Sequence, residues 1–114
     1  MTGYRAPDVS ADEVTPALVR DELLKCFESA NKEFMEVLHQ PANGETIRTQ
    51  VNQFVSGVFQ NCGASFDNPT KAGIVTAMGQ CRANAEAMMG PKGQAIISHH
   101  YEEMIKLVDK LPDR

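Results

Sequence analysis

Proline and glycine blocks at 15–16, 41–44, 63–69 and 90–93, with Pro112 beyond them, cut this chain into four helix-length pieces. In each piece the apolar residues return at a 3.6-residue period and nowhere alternate as in a strand, which restricts the chain to an all-α fold. Thr15 is a natural N-cap with Pro16 at the first helical position, where a missing N–H costs nothing. The first helix runs from there to about His39, with Val19, Leu23, Cys26, Phe27, Ala30, Phe34, Val37 and Leu38 on one side. Arg20, Glu22, Lys25, Glu28, Lys32 and Glu36 take the other directions, as on a half-buried surface helix.

Pro41-Ala-Asn-Gly44 ends that helix, and a second spans about Glu45 to Cys62 with Ile47, Val51, Phe54, Val55, Val58 and Cys62 on its apolar face. Asn68 as N-cap and Pro69 open a third helix that ends at Gly90, its face built from Ile74, Met78, Cys81, Ala85, Met88 and Met89. The fourth begins near Pro91 or Lys92, buries Ile97, Tyr101, Met104, Val108 and Leu111, and stops at Pro112. Short connections imply antiparallel neighbours, so the expected fold is an all-α, four-helix antiparallel (up-down-up-down) bundle over residues 15–114. A three-helix core with a displaced first helix is the alternative. Residues 1–14 carry no apolar period and read as a loose, flexible arm, although Ser10 and Glu13 have capping-box spacing and could hold a helical turn.

Charge is distributed unevenly. Between Thr49 and Cys81, 33 residues, only Asp67 and Lys71 are charged, whereas the first helix carries eight charges in 24 residues. The outward positions of the second helix read as Asn52, Gln53, Ser56, Phe59, Gln60 and Asn61, together with Gly57. Solvated helix faces ordinarily use Lys and Glu, while the centres of interfaces are depleted in charge. Asn52, Gln53, Ser56, Phe59 and Gln60 are therefore the expected interface residues of a non-enzymatic interaction module, a homodimer joined through its second and third helices, with a further protein partner open to it. The competing explanation is that these two helices are central in the monomer or merely amide-rich.

The candidate chemistry is sparse. A net charge of −4 with no basic cluster disfavours nucleic acid, and no apolar run of 18 residues could span a membrane. The first residues lack the apolar core of a secretory signal, so a cytoplasmic address is the expectation. Three cysteines, Cys26, Cys62 and Cys81, fit neither a disulfide framework nor zinc spacing and read as buried thiols. Up-down pairing draws His39, His99 and His100 toward one end of the bundle, but the 100° rule points Glu36 and His39 outward, so no metal or cofactor is expected. His100 borders Ile96 and Met104, and level with it across the last turn lie Cys81, Tyr101 and Arg82. These four are the candidate residues of a small-ligand or metal site. Their plainer roles are a boundary histidine bonded to a carbonyl or carboxylate, a core thiol, and an Arg82–Glu86 pair. No nucleophile elbow or phosphate-binding loop is present.

Overall fold

A computed structural model describes residues 4–111, and among these the chain is helical without strands. Helix α1 is Pro16–Val37, α2 is Gly44–Asn61, α3 is Lys71–Met89 and α4 is Gln94–Val108. Between α3 and α4 lies only the 3-10 turn Gly90–Gly93, so the helical run from Lys71 to Val108 is unbroken. By chain continuity there are three helical stretches, the last long and bent, where the sequence suggested four separate helices.

Each α1–α3 start is set by a side-chain cap. Thr15 accepts from the Leu18 N–H, Asn43 from Thr46 and Thr70 from Gly73, each satisfying one of the orphan amides of a first turn. The third helix thus opens two residues later than Asn68 and Pro69 suggested. The Asn68 N–H bonds to Ser65 Oγ in the preceding loop, 3.0 Å away, and the cap is made by Thr70 Oγ1, which accepts from Gly73 at 3.1 Å. The first two helices end in the same way, with one residue in the left-handed region: His39 (φ 56°) after α1 and Gly63 (φ 73°) after α2. In each, the following amide reaches back to close the last turn, Gln40 to the Met35 carbonyl and Ala64 to Phe59. The bend after α3 needs two glycines. Gly90 adopts φ 67°, and a Cβ on Gly93 would stand 2.4 Å from that of Met89.

Helices α1 and α2 run antiparallel, as Glu28–Arg48 and the edge-on Phe27–Phe54 pair require. The bend folds α4 back along α3 so that Lys71 Nζ donates to the Leu111 carbonyl and the Arg82 guanidinium covers Tyr101. In section, α1 and α3 touch across the short diagonal, each also packing on α2 and α4, while α2 and α4 stay apart. The shared core is sealed by Leu23, Ile74, Met78, Ile97, Met104 and Leu107, all fully buried. Helix α4 proper ends at Val108; the Asp109 N–H still bonds to the Ile105 carbonyl, and Lys110 and Leu111 tighten into 3-10 bonds to Leu107 and Val108. Pro112, expected to stop this helix, lies outside the described residues, as do the first three residues.

Two placements depart from the sequence reading. Phe59 is not an outward interface residue: it is completely buried, edge-on to Phe66 at 5.4 Å. Arg20 causes this by donating to the Phe66 carbonyl and stacking on its ring, which folds the α2–α3 loop over Phe59. Val37, assigned to the apolar side of α1, is 42% exposed because the helix has passed the end of the core there. Residues 4–14 lie along α1 and α4. Val14 enters the core, and Ala11–Glu13 form one 3-10 turn in which the Glu13 carboxylate accepts from Ser10.

Candidate functional site

The largest concentration of buried polar groups lies between α1, α4 and the N-terminal segment. Glu22, Cys26, Ser29 and Glu33 recur at i, i+4, i+7 and i+11, which places them in one stripe along α1 beside its apolar face. His100 approaches that stripe from α4 and is 2% exposed. Its Nδ1 lies 2.7 Å from the Ile96 carbonyl, which can only accept, so Nδ1 carries a proton. Its Nε2 then faces Glu33 Oε2 at 3.0 Å, Ser29 Oγ at 3.1 Å and the Tyr4 amide at 3.4 Å. A neutral ring accepts from Tyr4 and Ser29, whereas a bond to Glu33 needs one further proton between Nε2 and Oε2. Burial holds the His100 pKa below the usual histidine value, opposed by the Ile96 carbonyl and the Glu33 carboxylate.

Tyr4 covers the cluster. Its ring stacks on His100 at 6.1 Å, its hydroxyl donates to Glu22 at 2.7 Å, and its carbonyl accepts from His99 Nε2 at 3.0 Å. Burial first, and the Glu22 contact second, push the phenol pKa far above its ordinary value, so Tyr4 remains a donor. Every buried polar side-chain atom among the described residues has a partner.

The four sequence candidates divide. His100 is central to the cluster. Cys81 is completely buried but does not line the space around His100 and Tyr101; the cysteine that does is Cys26, whose thiol donates to the His100 carbonyl. Arg82 stacks on Tyr101 and pairs with Glu86 at 3.5 Å, so neither is aimed at His100's ring. The enclosed space beside them is about 10 Å³, room for one water. Burial pushes the Cys81 thiol up to about 12 and the Cys26 thiol higher still, the chemistry of core cysteines and not of nucleophiles. Among the described residues no group of three His, Cys, Asp or Glu side chains could hold a metal. His39 stays apart at the end of α1. Glu22, Ser29, Glu33 and Tyr4 were missed from sequence. The i, i+4, i+7, i+11 stripe was the available signal for the first three, and Tyr4 had none.

The opposite side differs in kind. Asn52, Gln53 and Gln60 are exposed on α2, and Ser56 is half-buried with its hydroxyl turned back on the Asn52 carbonyl. On α3 the outward positions are Ala72, Val75, Thr76, Gly79, Gln80, Ala83 and Ala87, all exposed and none charged. Of the three large apolar residues exposed among the described ones, two, Val75 and Met88, belong to α3. A Cβ added at Gly57 or Gly79 would meet nothing within 4 Å.

No helix among the described residues is long and apolar enough to cross a membrane. The chain matches no known protein-family model, and no curated protein or solved structure is significantly similar to it.

Proposed function

We propose that this protein is a non-enzymatic helical interaction module, an up-down-up-down arrangement of α1–α4 that pairs with a second copy of itself through the outward faces of α2 and α3. The observation that carries this is the pair of glycines, Gly57 and Gly79, set in uncharged helix faces where the fold itself has no use for a missing Cβ. Glycine in a helix interior costs about 1 kcal/mol relative to alanine, and close approach by another backbone is a reason to keep it. Burial within the monomer does not explain the missing charge, because α2 sits at an outer corner away from α4 and its amides are exposed. Two helices of this length present a face of roughly 500 Å² in projection, so a dimer of standard size needs the whole α2–α3 surface. A reducing, cytoplasmic setting suits the three unpaired thiols.

A small-ligand or metal site at His100 has less support, since the space beside the ring is one water in size and its polar neighbours already satisfy one another. The test of self-association is sedimentation of the native chain and Gly79→Glu over a dilution series. The native chain is expected to pass from two chains to one on dilution, and Gly79→Glu to sediment as one chain with unchanged helical signal. Identical sedimentation of the two as single chains overturns the proposal.

A further inference from the structure

The N-terminal segment is held in a manner unlike ordinary packing, because side chains of α4 and of the turn that follows it grip its backbone. The Tyr4 N–H and carbonyl engage His100 and His99, the Ala6 N–H donates to Glu103 Oε1 at 3.1 Å, and Lys110 Nζ donates to the Val9 carbonyl at 2.7 Å. The segment is non-helical along these contacts and turns at Asp8, where the Val9 N–H donates to the Pro7 carbonyl at 3.1 Å. The one deeply read side chain is Tyr4, with its ring on His100 and its hydroxyl on the buried Glu22.

Main-chain bonds along a groove supply affinity for any segment of matching conformation, and a side-chain pocket supplies selection, the two ingredients of a peptide-recognition site. We infer that the α1–α4 groove is a binding site for a non-helical segment bearing a tyrosine, occupied in this structure by the protein's own residues 4–9. Its partner class is a tyrosine-containing peptide entering in the register and conformation of the arm, which it replaces. The tyrosine enters unmodified: a phosphate on the hydroxyl would face Glu22 and add like charge beside it. The inference draws on α1 and α4 alone and stands or falls independently of pairing through α2 and α3.

The test uses an N-acetylated peptide of residues 4–10 and the full chain carrying Tyr4→Ala. That chain is expected to bind the peptide, and to bind its Phe-for-Tyr analogue about five- to tenfold more weakly for loss of the Glu22 bond. The native chain is expected to bind at least about tenfold more weakly than Tyr4→Ala, because its tethered arm competes at high effective concentration. Equal binding to both chains, an Ala-for-Tyr peptide as tight as the parent, or no binding by a folded Tyr4→Ala chain would each overturn the inference. Should Tyr4→Ala not fold, amide exchange on the native chain decides. Excess peptide must speed exchange at Tyr4 and Ala6, and no acceleration contradicts the site.

Discussion

The two sides of this molecule solve the problem of polar residues in opposite ways. Between α1 and α4, acids and a histidine are buried and fully partnered, and the N-terminal segment lies over them. On α2 beyond Arg48 and on the outward face of α3, polar residues face outward without charge, and glycines leave open space. Buried polar groups are costly unless every bond is made, so the first side specifies a single arrangement of the monomer. The second side contributes little to that arrangement, which leaves its composition free to serve contact with another molecule.

The largest expected contrast is in stability. His100→Ala removes the partner of Ser29, Glu33 and the Tyr4 amide and leaves a cavity, at a cost of about 3 kcal/mol. Gln53→Ala or Gln60→Ala, measured as a monomer by the same urea midpoint, should stay within about 0.5 kcal/mol. Comparable losses on both sides would dissolve the distinction. Tyr4→Phe is the next step down. It deletes the donor to Glu22 and should cost about 1 kcal/mol, with faster amide exchange confined to the N-terminal segment.

Gly79→Ala moves in the other direction. With nothing within 4 Å of the new Cβ, the isolated monomer should gain about 0.5–1 kcal/mol from helix propensity. A destabilised monomer would show that the glycine is needed inside the fold. The subtlest effect is a pH dependence. The folded His100 has a depressed pKa, so between that value and the unfolded one, about 6.5, the unfolded chain binds more protons. Stability should therefore fall as pH drops below that point, and His100→Gln should flatten this part of the profile. His100 faces Glu33, Ser29 and Cys26 of α1, Tyr4 of the arm and its neighbour His99, of which Glu33 opposes the effect and His99 adds to it.

Helical class was legible because caps and breakers act locally: Thr15-Pro16 and Asn43-Gly44 start helices within a residue of where the sequence puts them. The third helix shows the limit. Asn68 and Thr70 are both competent caps, and sequence alone does not choose Thr70, whose Oγ1 accepts from Gly73. Continuity through Gly90–Gly93 was hidden because a Gly-Pro-Lys-Gly run signals a turn without revealing that the turn stays helical. Phe59 failed for a long-range reason, since Arg20 drawing Phe66 over it depends on residues 46 positions apart. The polar cluster was hidden in the same way. Glu22, Ser29 and Glu33 resemble a solvated edge until an aperiodic segment is laid across them. His100 was found because its i−4 and i+4 neighbours are apolar, a signal contained within one helix.

The uncharged side is the part of the molecule whose purpose its own fold leaves unexplained, and the mass of the native chain in solution addresses it directly. Light scattering at tens of micromolar should give twice the 12.5 kDa of one chain. A mass of 12.5 kDa under those conditions would contradict pairing through α2 and α3.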